Sequence, residues 1–357
     1  MKGEVVYLYA FDVANELVTS GIEQVLSAKP APFDVQLDHT YPKDIPLYKP
    51  LAIQPPSLTD RLFGESVKLL VRLYDVGVVS ITMRVPFERD DLEALLPFHN
   101  PVLESGASLD DVARGLCAEV CRQLHRLLVG LSEPSEPEAY TVFCISDLGP
   151  VRDVNQWLDE NRRTAAGLLS ETEPRRLSES QVAEAIRIRR SFESTDLVVI
   201  DWNAALLIDL SAYVDDQLYV LEMANLQLEE FRALDRTLDR YLSTAYDDLG
   251  RRRLPLLGGS HKILTELRRY RVDLARLTDE VTHITKFFGD WYLARVYLGA
   301  HERFHLERWR SSVEQRLAQL DQLYSVVNSE LNERRMLWME LAIVVLFILD
   351  LMAIALF

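Results

Sequence analysis

The chain has 357 residues, 48% hydrophobic and 26% charged, enough apolar material for one or two folded units with a sizeable core. Three Cys are too few for a disulfide framework, and their odd number agrees with a reducing compartment. A net charge of −16 gives no encouragement to direct nucleic-acid binding, and the opening MKGEVVYLYAFDV has neither a signal-peptide nor a transit-peptide pattern.

The first two hundred residues alternate strand-like and helix-like stretches, which predicts a mixed α+β domain over residues 1–210. Val5 to Phe11 reads as a strand and Asp12 to Ala28 as a helix with Asp12 available as N-cap. Val67 to Tyr74 and Val76 to Val85 read as a hairpin turning near Asp75. Helical patterns follow at Asp90 to Phe98 and Leu109 to Leu131; Ser132 to Glu138, with two Pro, is a loop, and Tyr140 to Ser146 returns to strand. Val151 to Leu169 and Ser178 to Phe192 read as helices, and Asp196 to Asp201 with Ala204 to Asp209 as a second hairpin turning at Trp202 and Asn203.

From Val214 the apolar period becomes helical, giving a helical stalk over residues 214–335. Leu221, Ala224, Leu228, Phe231, Leu238, Ala245 and Leu249 mark a helix that ends before Pro255 and the Gly258, Gly259 pair. Ile263, Leu267, Tyr270, Leu274, Leu277, Val281, Ile284 and Phe288 repeat at four-three spacing, the seam of a coiled coil. After a break at Gly289 or Gly299 the seam resumes as Val313, Leu317, Leu320, Tyr324, Val327, Leu331, Arg334 and Trp338. Two such arms predict a long antiparallel hairpin. Its seam serves either to build a homo-oligomer or to pack the hairpin upon itself.

The segment from Met336 to Phe357 is apolar apart from Glu340 and Asp350, and about 20 such residues cross a bilayer as a helix. A single C-terminal transmembrane anchor is the expectation, with a buried core helix as the alternative. Arg334 and Arg335 just before the span favour a cytoplasmic body, with the C-terminus across the membrane. Asp350 would cost roughly 2.5–3.5 kcal/mol at mid-bilayer unless it finds a partner, a proton or the far headgroups. Continuing the seam reaches Leu341, Val345, Ile348 and Met352, so Glu340 and Asp350 join Leu317, Leu320, Tyr324, Val327, Leu331 and Trp338 as candidate association residues. Residues 251–335 carry 16 Lys/Arg against 11 Asp/Glu and the tail adds two acids, which leaves −19 on residues 1–250. The basic stretch suits anionic lipid, and Arg251, Arg252, Arg253, Arg334 and Arg335 are its candidate lipid-surface residues.

Two constellations carry possible metal chemistry. His301, Glu302 and His305 form a literal H-E-x-x-H, which on a helix sets two imidazoles one turn apart for Zn²⁺ while the Glu activates water. Only Glu330 and His283 offer a third ligand. Cys117, Cys121 and His125 share one helical face, with Cys144 on a later strand; the plainer reading is an apolar helix with two small buried thiols. Asp196, Asp201, Asp209, Asp215 and Asp216 could hold Mg²⁺ but read better as strand-end and cap residues. No phosphate-binding Gly-rich loop or Gly-x-Ser-x-Gly turn is present, and no cofactor is expected.

Phe287, Phe288, Trp291, Tyr297, Leu306, Glu307, Arg316, Leu317 and Leu331 to Arg334, with Glu340 and Asp350 ten residues apart in an Ile/Val/Leu run, resemble the Rmd/RMND ("required for meiotic nuclear division") family, as does Leu73 to Val79. The resemblance covers about a third of the chain. It implies a membrane-tethered homo-oligomer without established catalysis, and, from its mitochondrial members, a tether for ribosomes. The combined expectation is a tail-anchored, non-catalytic membrane scaffold facing the cytoplasm, with lipid, its own copies and an unidentified protein as partners. A zinc-dependent hydrolase using Glu302, His301 and His305 is the alternative.

Overall fold

The structure, a computed structural model, describes residues 1–18, 22, 30–31, 50–131, 136–250, 270–272, 275 and 291–356. Strand β1, Lys2–Asp12, is buried from Val5 to Phe11 with hardly an interruption, as a strand covered on both faces must be. Around it come β2 (Ala14–Leu17), β3 (Pro30–Ala31), β4 (Leu51–Ile53), β5 (Arg61–Leu62), β6 (Glu65–Ser66), β7 (Lys68–Leu73), β8 (Val78–Glu88), β9 (Leu128–Leu131), β10 (Glu138–Asp147), β11 (Ile188–Arg190), β12 (Leu197–Ile200) and β13 (Ala204–Ile208). Nine form one sheet in the order β11-β12-β13-β10-β1-β8-β7-β4-β3. Neighbours are antiparallel except β10 and β13, which pair in parallel from Thr141 with Ala204 to Ile145 with Ile208.

On one face Val5, Tyr7 and Tyr9 of β1, Ile81, Met83 and Val85 of β8, and Phe143 and Ile145 of β10 share a core with helices α1 (Leu109–Leu124), α2 (Val154–Glu160) and α3 (Arg162–Leu169). The short helix α4 is Glu179–Ala185. The opposite face carries Ser80, Thr82 and Arg84, and the part of α5 (Ser211–Gly250) up to Ala233 and α6 (Trp291–Arg303) pack on that side of the sheet. Three polar contacts tie α5 to that face, where an unpaired buried charge would be costly. Arg72 bonds Glu222, Tyr74 donates to Glu222 at 3.3 Å, and Asn225 donates to the Glu138 carbonyl at 3.2 Å. Helix α6 crosses β11 and β12 at Gly299, where a Cβ would lie 3.0 Å from Ile188 and 3.3 Å from Ile200. Gly299 therefore marks close packing within a helix rather than the predicted break.

The α+β class, a mixed sheet with helices followed by C-terminal helices, is as expected, and so are both hairpins. Several elements differ. Asp12 ends β1 instead of capping a helix, because Val13 and Ala14 donate to the Gly77 carbonyl and draw the chain over the hairpin turn into β2. The helix at Leu109 stops at Leu124, and its expected last turn becomes β9, pairing with β2. Likewise α4 gives way to β11, whose Ile188 completes the sheet edge, and Asn161 splits α2 from α3. Glu93–Phe98 is a 3₁₀ helix with Pro97 inside it.

The chain divides into two compact units, Met1–Ala233 with Asp279–Glu307, and Leu234–Thr278 with Arg308–Phe357. In the second, the far half of α5 lies beside α7 (Leu306–Leu356). Arg316 binds Asp235 at 2.7 Å and also Asp239, and Ser312 donates to Asp235 at 3.1 Å, so residue numbers rise together and the helices run parallel. The predicted antiparallel partner, Ile263 to Phe288, falls outside the described residues except at 270–272 and 275; there Tyr270 meets Tyr241 at 6.2 Å and Arg271 pairs with Asp321. Among the described residues, which leave out the side chains after Ile348 except that of Met352, no helix is long and apolar enough to cross a membrane, so the expected transmembrane anchor is not found there.

Candidate functional site

The most distinctive surface is the end of α7. Leu317, Leu320 and Tyr324 are buried within the single chain, which occupies this part of the predicted association seam intramolecularly. Beyond it, every residue from Met336 to Ile348 is exposed, including Leu337 at 64%, Trp338 at 71% and Phe347 at 64%. Apolar side chains here point around the whole helix, not along one stripe. A contiguous patch of this kind on a soluble monomer is unusual and marks an interaction surface. Glu340 is exposed among them. The side chains of Val327, Leu331, Arg334, Arg335 and Asp350, and residues Arg251 to Arg253, lie outside the described residues.

The H-E-x-x-H stretch turns out to be a joint. Helix α6 ends at Arg303, His305 adopts a left-handed backbone at φ 52°, and α7 begins at Leu306. Two imidazoles four residues apart converge on a metal only along a continuous helix. Here the chain leaves the helix between them. His301 lies 6.1 Å from the Tyr297 ring, whereas His305 sits 5.8 Å from the Trp202 ring. Glu302 is committed to Arg187 at 2.6 Å. His301, Glu302 and His305 thus each have a separate neighbour here; His283 and the Glu330 side chain, the candidate third ligands, lie outside the described residues.

The residue that matters in this stretch is one of the motif's unspecified positions. Arg303 is 12% exposed and binds both Asp201, 4% exposed, and Glu184. Asp201 also caps the β12–β13 turn through the Trp202 amide at 2.7 Å and accepts from Ser170 at 3.3 Å. The hydrogen bond from Arg303, with Arg187 close by, holds the Glu184 carboxyl below the usual range. Phe304 beside the joint is buried and meets Tyr140 edge-on at 5.1 Å. Sequence spacing offered one clue to this network, the acid at the turn of a predicted hairpin.

Cys117 is buried and Cys121 half-buried on α1, while His125 caps its end, with Nδ1 3.0 Å from the Arg122 carbonyl. The Cys117 thiol is pushed up and that of Cys121 down, chiefly by the hydrogen bond between them. Cys144 is buried on the other face of the sheet, near Arg84. Cys144 is therefore set apart from the Cys117 and Cys121 pair. Asp196 accepts from the Phe192 and Glu193 amides, Asp209 from the Leu210 amide at 2.7 Å, and Asp215 pairs with Arg84: turn and ion-pair roles. Among the described residues no group of three or more His, Cys, Asp or Glu could hold a metal ion.

Fold and surface together define an α+β sheet protein followed in the chain by C-terminal helices. The family described as "Uncharacterized protein MJ0711, N-terminal domain" matches residues 2–214, more than half of the chain, and the chain belongs to it. Uncharacterized protein MJ0711 of Methanocaldococcus jannaschii is 20% identical over 298 residues, spanning 82% of this chain and 84% of that protein. No solved structure matches. The resemblance to the Rmd/RMND family is corrected by this match, which carries no signal of it. Its residues have another explanation: Tyr297, Leu306 and Leu317 are buried, and any packed helix repeats apolar residues at that spacing.

Proposed function

We propose that the chain is a membrane-anchored scaffold, with the sheet domain as a non-catalytic body and the end of α7 as the membrane-inserting element. The observation that supports this is the exposed run from Met336 to Ile348. In sequence it continues as Leu349 to Phe357 with Asp350 as the single charge, and the 22 residues together are long enough for a bilayer. The anchor places Arg334 and Arg335 at the cytoplasmic headgroups and the acidic body clear of them.

Burial of Leu317, Leu320 and Tyr324 inside the chain leaves self-association, in this reading, to the exposed segment itself. Trp338, at its headgroup end, suits an interfacial position. Carbonate extraction of membranes from cells making the full chain, or a version ending at Arg335, tests the proposal. The full chain is expected to resist pH 11 carbonate and dissolve in detergent, and the shortened one to be soluble. Release of the full chain by carbonate would remove the anchor, and detergent-solubilised mass equal to one subunit would remove the oligomer.

A further inference from the structure

Away from α7, and apart from Val102, the most exposed large apolar residues of the body come from neighbouring segments. Trp291 is 74% exposed, Phe192 71%, Leu210 65% and Tyr213 57%. They come from three separate segments: the loop after β11, the junction of β13 with α5, and the first turn of α6. These segments meet, since Phe192 lies 6.1 Å from the ring of Tyr292, the neighbour of Trp291, and Asp209, next to Leu210, is within electrostatic reach of Glu193, Asp196 and Tyr292.

The same place is acidic. Asp196 bonds the amides of Phe192 and Glu193, and the Tyr292 hydroxyl faces it. Asp209, next to Leu210, feels the charges of Asp196 and Glu193, and burial together with that repulsion raises its carboxyl above the usual range. Arg295, one turn further along α6, is the cation felt by Tyr292, and Arg190 donates to its carbonyl at 3.4 Å, so Glu193, Asp196 and Asp209 outnumber these two guanidinium groups. Exposed aromatic faces attract cations, and carboxylates beside them add Coulomb attraction while discouraging an anionic lipid surface.

We infer that Trp291, Phe192, Tyr213 and Leu210, with Glu193, Asp196 and Asp209, form a docking surface for a protein segment that presents Arg or Lys beside apolar residues. The inference is independent of the anchor. The guanidinium or ammonium stacks on Trp291 or Phe192 and faces the carboxylates, while apolar neighbours cover Leu210 and Tyr213. Aromatic anchors of this kind carry most of the affinity at interfaces.

The test uses the full chain in neutral detergent micelles and a dye-labelled peptide of alternating Arg and Leu, followed by fluorescence anisotropy with empty micelles as blank. The intact chain is expected to bind it at least tenfold tighter than a Glu and Leu peptide, with affinity falling as salt rises. Trp291→Ala with Phe192→Ala is expected to weaken binding at least tenfold, Glu193→Gln severalfold, Trp291→Tyr little, and Val102→Ala, at another exposed site, not at all. Circular dichroism checks that each variant is folded. Equal binding of both peptides, no binding, or aromatic variants that bind like the intact chain would overturn the inference. Carbonate resistance of the same variants reads the anchor separately.

Discussion

The guanidinium of Arg303, at the end of α6, is bonded to the carboxylate of Asp201, which caps a hairpin 102 residues earlier in the chain. Both groups are nearly buried, and Arg303 Nε has no hydrogen-bond partner among the described residues, so the pair carries little spare hydration. Breaking such a pair from one side leaves an uncompensated charge and typically costs about 3–5 kcal/mol. Asp201→Ala is therefore expected to lower the urea midpoint strongly. Arg303→Met, which strands the Asp201 carboxylate and also frees Glu184, is expected to cost at least as much.

Gly77 closes the β7–β8 turn at φ 82°, and a Cβ there would lie 2.0 Å from the Ala14 carbonyl oxygen. No side chain can yield, because the obstacle is backbone. Gly77→Ala is expected to destabilise by about 2–3 kcal/mol or more, seen as loss of thermal stability or of soluble expression.

His99 is 6% exposed, packs edge-on against Phe143 at 5.2 Å, and neither ring nitrogen has a hydrogen-bond partner among the described residues; Glu171 approaches only to 3.7 Å. Since buried polar atoms without partners cost about 1–3 kcal/mol, His99→Phe is expected to be neutral or stabilising. A clear loss in the denaturation midpoint would reveal a partner for the imidazole.

For Asp209 the sign follows from a folded-state carboxyl raised above its ordinary 3.8. The folded protein holds that proton more tightly than the unfolded chain, so the stabilisation is complete below 3.8 and lost as pH rises through the folded value. Asp209→Asn is expected to flatten this part of the acid stability curve and to leave stability at pH 7 unchanged or higher. Gln217, whose Oε1 is buried without a partner among the described residues, can turn to accept from the new amide. Denaturation midpoints from pH 3 to 7 check it.

What could be read from the sequence follows physical range. Val5 to Phe11, the two hairpins and the helix from Val214 are set by local pattern, and the structure contains all of them. The strands β2, β9 and β11 were illegible because they are short pieces recruited by distant partners: Leu128 by Leu17, Ile188 by Ile200. Long-range pairing of this kind overrides local propensity. At the joint, spacing highlighted His301, Glu302 and His305, although the buried contact runs through Arg303. A motif read as letters assumes a continuous helix, and the left-handed His305 breaks that assumption. The apolar tail was legible in composition alone, and its exposure is what folding adds.

The central claim is that Met336 to Phe357 enters lipid by hydrophobic insertion. Flotation of purified protein with uncharged phosphatidylcholine vesicles tests it directly, since no charge attraction contributes. The full chain is expected to rise with the vesicles in 1 M salt while a chain ending at Arg335 stays at the bottom. A full chain that stays at the bottom, or a shortened one that floats as well, would contradict it.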